Sequence, residues 1–118
     1  MLNVMSRNNI LHVANPKYPS IKDWTGVTYH DALGDYDWDL FNGTLETYAG
    51  AEPHGIHAVP KYDPSNGSGE FALYPRSPGS NAGVVLPSFN DNYSGAAPDM
   101  GAFEAGSPPM KFGVDAYQ

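Results

Sequence analysis

The sequence contains no cysteine, so no disulfide ties the fold and no thiol is available as nucleophile or metal ligand. Basic residues are scarce: six Lys and Arg stand against thirteen Asp and Glu, a net charge of −7. Too few cations exist to neutralise a run of phosphates, which argues against nucleic acid as a partner. The same imbalance disfavours an acidic polysaccharide unless a divalent cation bridges the two. No apolar run approaches the length of a membrane span, and no membrane partner is expected. Long uninterrupted segments are missing as well, because 13 Gly and 11 Pro punctuate the chain too often for long helices.

Aromatic residues are what the chain has in quantity. Eight Tyr, five Phe and two Trp favour strands and supply flat apolar faces. At 118 residues the chain, 1–118, reads as a single domain that buries about two-thirds of its unfolded surface. Leu2 to Ala14 predicts two short strands around Ser6-Arg7-Asn8-Asn9, whose asparagines would satisfy turn backbone. Asn15 to Trp24 reads as a loop with one helical turn at Ser20-Ile21-Lys22-Asp23, and Gly26 to His30 as a strand. Asp35 to Phe41 alternates strictly, with Asp35, Asp37 and Asp39 on one face and Tyr36, Trp38 and Leu40 on the other. That is the pattern of a half-buried strand. Glu70 to Tyr74 alternates too, setting Phe71 and Leu73 against Ala72 and Tyr74, before a turn from Pro75 to Gly83 and a second short strand over Pro98 to Glu104.

The acidic stretch is the sharpest candidate for chemistry. Asp35, Asp37, Asp39 and Glu46 fall at positions one, three, five and twelve of a calcium loop. Position six, however, is Leu40 where the loop needs Gly, and no amphipathic helices flank it. A strand with a solvated acidic face is the competing reading. Carboxylates two apart on a strand also sit at roughly 6–7 Å, a spacing that glycosidase pairs use. His54 and His57, with His12 and His30 elsewhere, form the second candidate, for zinc; a strand would send the pair to opposite faces. Serine nucleophile motifs and phosphate-cradling glycine loops are absent.

Four segments carry a resemblance. They are Asn8-Asn9-Ile10, Asp35 to Phe41, His54-Gly55-Ile56-His57-Ala58-Val59-Pro60, and the run from Glu70 through Ser77-Pro78-Gly79-Ser80-Asn81-Ala82-Gly83 to Pro98-Asp99-Met100-Gly101-Ala102-Phe103-Glu104. In this order they resemble the C-terminal end of right-handed parallel β-helix proteins of the pectate-lyase-like superfamily. The resemblance implies an all-β fold: a short right-handed parallel β-helix or its C-terminal coils, with long Pro/Gly-rich loops and a C-terminal turn and cap region over 70–104. A small antiparallel sandwich is the alternative. It also implies a carbohydrate-associated module, a non-catalytic C-terminal fragment of a secreted polysaccharide lyase-like protein. Val59 and Asn81 stand where such proteins carry Asp, and no Lys or Arg matches their catalytic base.

Two other functions compete with that expectation. One is an active polysaccharide lyase or glycoside hydrolase using Asp35, Asp37, Asp39 and Arg7; the other is an adhesin or phage tail-type assembly module. Calcium is the one cofactor the pattern points to, and a polysaccharide the one ligand. The resemblance places the parent protein outside the cell or on its surface. Met1 to Asn9 lacks the charged start and apolar centre of a signal peptide, so Met1 is expected to be internal to a longer frame. Nothing before Asn9 reads as an N-terminal cap, and Leu2 to Met5 is expected to mediate self-association through the N-terminal end.

Overall fold

The structure, a computed structural model, describes residues 4–23, 34–63, 71–108 and 113–114. Among these residues there is no α-helix. Seven short strands are present: β1 (Val4–Ser6), β2 (Ile10–Leu11), β3 (Pro19–Lys22), β4 (Gly34–Tyr36), β5 (Leu40–Phe41), β6 (Thr44–Glu46) and β7 (Ile56–His57). Strands of two to four residues hold no sheet by themselves. They persist here because each lies parallel to its counterpart on the next pass of the chain. β1 pairs with β4, β2 with β5, β3 with β6, and β7 adds to β5. Three successive strands are thus laid down and then laid down again beneath themselves, which gives an all-β stack of parallel circuits.

The register fixes what meets what. Val4 lies over Gly34 and Ile10 over Leu40, so the first circuit takes 30 residues (34 − 4 and 40 − 10). Leu40 lies over Ile56, so the next takes 16 (56 − 40). Ile10, Leu40 and Ile56 therefore form an aliphatic column, with Leu40 fully buried at its centre. Aromatic rings stack by the same register. Trp38 covers the His54 ring at 4.6 Å and Phe41 the His57 ring at 5.0 Å.

After β7 the chain turns back along the stack. Lys61 N–H donates to Ser77 Oγ at 2.8 Å, Gly79 packs against Leu40, and Asn8 binds Val84 in the first circuit. Gly101 N–H then donates to Asn8 C=O. Ala72, Leu73, Pro98 and Met100 from this return segment complete the core with Ile21, Tyr36, Leu40 and Phe41. Gly79 shows why a side chain is excluded at the crossing: its φ is +92°, and a Cβ would lie 2.9 Å from a Leu40 methyl.

Several local expectations change in this arrangement. The first two strands lie where the sequence placed them, but Ser20 to Asp23 is no helical turn: β3 takes Pro19–Lys22 against β6. Asp35 to Phe41 is not one strand. Trp38 N–H donates to Asp37 Oδ1 at 2.9 Å and Trp38 takes a φ of 61°, making a corner between β4 and β5. A corner resets which side faces inward, so Asp39 and Leu40 are both fully buried. Phe71 to Tyr74 forms only an isolated antiparallel bridge, Leu73 to Tyr62, and the adjacent Ala72 and Leu73 are buried together while Phe71 and Tyr74 are exposed. Pro98 to Glu104 is irregular, with a bend over Met100 to Ala102 and Gly101 at a φ of 99°, and not a strand. Gly26 to His30 and Glu70 lie outside the described residues.

Candidate functional site

Among the described residues an open cleft of about 910 Å³ is present. Three stretches form it: residues 7–12 of the first circuit, 86–93, and 98–104, joined by Tyr62 and Phe71. Its shape depends on buried polar clamps. Asn8, at a φ of 58°, accepts from Val84 N–H at 2.8 Å and donates to Val84 C=O at 2.7 Å. A side chain that matches both groups of one residue fixes that residue's position as a strand partner would. From there Asn90 accepts from Leu86 N–H at 2.6 Å and donates to Val84 C=O at 3.0 Å. Asp91 accepts from Ser88 N–H at 2.7 Å. The resulting tight turn holds Phe89 outward, 89% exposed.

The opposite lip is built from acids. Asp99 is buried and accepts from Asn81 N–H at 2.6 Å and Ala105 N–H at 2.8 Å. Glu104 accepts from Asp99 N–H at 2.9 Å and Ser94 N–H at 3.3 Å. Both carboxylates are engaged with backbone donors. Tyr62 meets Phe71 edge to face at 5.6 Å, and its hydroxyl lies 3.1 Å from His12 Nδ1. Burial pushes the Tyr62 phenol above its usual range, so it stays neutral. Arg7 is the one Lys or Arg lining the cleft among the described residues. Its guanidinium is committed to Asp35 Oδ2 at 2.6 Å, Asp35 C=O at 2.9 Å and Ser6 C=O at 2.7 Å. The side chains of Asn92 and Tyr93 have no hydrogen-bond partner among the described residues, leaving an amide and a phenol for a ligand.

The four carboxylates of the calcium pattern do not converge. Asp35 pairs with Arg7, while Glu46 pairs with Lys22 at 3.2 Å across β3 and β6. Asp37 accepts from His54 N–H at 2.7 Å, and its Oδ2 lies 2.8 Å from the His54 ring. Burial opposes the charge on Asp37, but the hydrogen bonds from His54 and Trp38 outweigh it and hold its carboxyl below the usual range. Asp39 is sealed inside, where its Oδ1 accepts from Asn9 N–H at 2.8 Å and Asn9 Nδ2 at 3.2 Å. Among the described residues no three His, Cys, Asp or Glu gather as metal ligands do. His54 and His57 stack under different rings, and His12 lies with Tyr62. His30 lies outside the described residues.

A residue that the spacing did not mark stands out instead. Glu52 is buried, at a φ of 59°, and its Oε2 accepts from Asp39 N–H at 3.1 Å. Glu52 Oε1 and Asp39 Oδ2 are buried with no hydrogen-bond donor to them among the described residues. Burial, with the nearby charges of Asp39 and Asp37, raises the Glu52 carboxyl from 4.5 to about 7. A carboxyl raised in this way, beside a second one, is a candidate general acid. It does not line the cleft, however, and it is closed over by Gly55, where a Cβ would come within 2.5 Å of Glu52 Oε2. Its chemistry is therefore structural: each carboxylate satisfies the corner amide of the circuit above it. A lone Glu in the small-residue turn Ala49-Gly50-Ala51-Glu52-Pro53 was the signal available for it. For the cleft, the signal was Phe89 and Tyr93 set within a loop of Ser, Asn and Asp.

No protein-family model, curated protein or solved structure matches the chain.

Proposed function

We propose that the chain is a carbohydrate-associated module that holds a polysaccharide in this cleft without cleaving it. In this reading the parallel circuits are a short right-handed parallel β-helix, the C-terminal coils of a secreted polysaccharide lyase-like protein. The observation that carries the reading is the gathering of exposed rings on one open cleft. Phe89 is 89% and Phe71 64% exposed, and Tyr62, Tyr93 and Phe103 line the same cleft. Leaving a phenylalanine in water forgoes about 1.5–3 kcal/mol of burial, which favours a ligand that covers it. Sugar rings offer an apolar face for such rings and hydroxyls for Asn92, Tyr93 and the cleft's backbone.

Cleavage lacks support in the same geometry. Proton abstraction beside an acidic sugar needs a basic group free to act, and Arg7 is held by Asp35. Asp99 and Glu104 are held by backbone amides. Affinity electrophoresis through gels containing soluble polysaccharides tests the reading. At least one polysaccharide is expected to retard the protein, and Phe89→Ala and Tyr93→Ala to reduce the retardation. Equal mobility in every gel would sink it.

The reading extends to self-association through the N-terminal end. β1, β2 and β3 are each edge strands of their sheets, and Met5 is 63% exposed. A row of unpaired backbone groups beside an apolar side chain is a template for another chain.

A further inference from the structure

We infer that the cleft selects an uncharged polysaccharide over an acidic one; the inference rests on the carbohydrate reading above. The argument is the charge that a ligand would meet. Asp91, Asp99 and Glu104 all line the cleft. Backbone amides hold these side chains in position, and no Lys or Arg among the described residues pairs with them. Against them stands Arg7, whose charge Asp35 balances at 2.6 Å. His12 is the remaining nitrogen base on the lining, and its Nδ1 faces the Tyr62 hydroxyl at 3.1 Å. Salt screens a field of this kind only beyond the Debye length, about 10 Å at 0.1 M. A uronate chain lying in the cleft would therefore bring carboxylates against carboxylates at short range, in a protein that carries −7 overall.

The exposed rings, and the two polar side chains without a hydrogen-bond partner among the described residues, have the opposite preference. Phe89 and Phe71 present ring faces, which stack on the apolar face of a pyranose. Asn92 offers two donors and an acceptor, and Tyr93 one of each, the complement of sugar hydroxyls. Nothing among them recognises a carboxylate by charge. A polyuronate could enter only by bringing a divalent cation with it, and the lining acids, each already accepting from backbone, would have to turn towards that cation. The structure thus ranks the ligands: uncharged glycan first, cation-bridged uronate second, bare uronate last.

Calorimetric titration of the full chain tests the ranking, with soluble β-glucan, galactomannan and polygalacturonate as probes, the last with and without millimolar calcium. Runs at about 0.01 M and about 1 M salt bracket Debye lengths of about 30 and about 3 Å. The expected result is binding of a neutral polymer that changes little with salt, and no heat from polygalacturonate alone. Phe89→Ala, which removes an exposed ring and leaves the core intact, is expected to weaken the neutral polymer roughly five- to tenfold. Tighter binding of polygalacturonate than of either neutral polymer, with calcium or without, overturns the inference while the carbohydrate reading stands. Unchanged neutral binding in Phe89→Ala also overturns it, because the sugar then lies elsewhere. Heat from none of the three polymers removes the carbohydrate reading itself.

Discussion

Glu52→Gln isolates the buried acid pair. In the folded chain, Glu52 and Asp39 are packed together, each with one buried oxygen that receives no hydrogen bond from a donor among the described residues, and Asp37, bonded to His54, lies close enough to add its charge. Two carboxylates in such contact cannot both ionise cheaply. Glu52 therefore holds its proton to higher pH, with burial the larger cause and the charge of Asp39 and a side-chain hydrogen bond with it smaller ones. Its folded value of about 7 lies above the 4.5 of an unperturbed Glu. The sign follows from linkage. Below about 4.5 the folded and unfolded chains both hold the proton, and the contribution is complete. As pH rises, the unfolded chain releases the proton first, so stability falls through the window and is lost above about 7. The loss is on the order of 3 kcal/mol.

Glutamine keeps the shape, keeps an oxygen to accept from Asp39 N–H, and replaces the shared proton with a permanent N–H donor. Urea unfolding followed by tryptophan fluorescence, from pH 5 to pH 8, is the assay. The natural protein is expected to lose stability across that range, and Glu52→Gln to hold nearly level. The two should be similar at pH 5 and differ by about 2–3 kcal/mol at pH 8, roughly 10 °C in melting temperature for a chain of this size. Parallel slopes in the two proteins would refute the reasoning, since the charge on Glu52 would then be relieved by water or by movement of the turn.

Three further outcomes follow from other parts of the stack. Asn8→Ala removes both clamps on Val84, leaving the half-buried Val84 N–H without its acceptor while Asn90 still holds the C=O, and puts alanine at a positive φ; a loss of about 2–3 kcal/mol is expected in the same unfolding assay. Millimolar calcium is expected to leave the melting temperature nearly unchanged, because Asp35, Asp37, Asp39 and Glu46 have separate partners. A rise of several degrees that disappears in Asp37→Ala would locate a site there after all. Val4→Lys places a charge on the β1 edge strand and is expected to shift light scattering at micromolar concentration towards monomer; a monodisperse monomer before and after the change would mean that the edge is covered.

Much of the all-β character was legible because alternation and turn residues act locally. Val4–Ser6 and Ile10–Leu11 fall where the polar run from Ser6 to Asn9 separates two apolar stretches. The stacking was not legible as a period, and the register explains why. One circuit takes 30 residues and the next 16, so equivalent positions recur at no fixed interval. Asp35 to Phe41 misled for a related reason. Period-two alternation assumes an unbroken strand, whereas the chain turns at Trp38, held by Asp37. Beyond that turn successive residues are buried together, Asp39 as well as Leu40, and an aspartate that seemed to face water becomes the most buried acid among the described residues.

That misplaced aspartate also explains why acidic spacing pointed towards calcium. At each corner a residue in the left-handed region, Asn8 or Trp38, turns the next amide into the stack without a strand partner. Asn9 N–H then needs an acceptor from the circuit below, and Asp39 supplies it; Asp39 N–H needs one in turn, and Glu52 supplies that. A buried amide left unpaired costs about 1–3 kcal/mol, so acids at corners are selected by the backbone before any ion is considered. The consequence accumulates downwards. Each carboxylate that caps the circuit above becomes the negative neighbour of the next, and burial together with that neighbour raises the Glu52 carboxyl to about 7. The acidity of this stretch is therefore the cost of turning corners with side chains instead of strands. The cleft meets that column at Asn9, but on its far side the side chains of Phe89, Asn92 and Tyr93 have no such duty among the described residues.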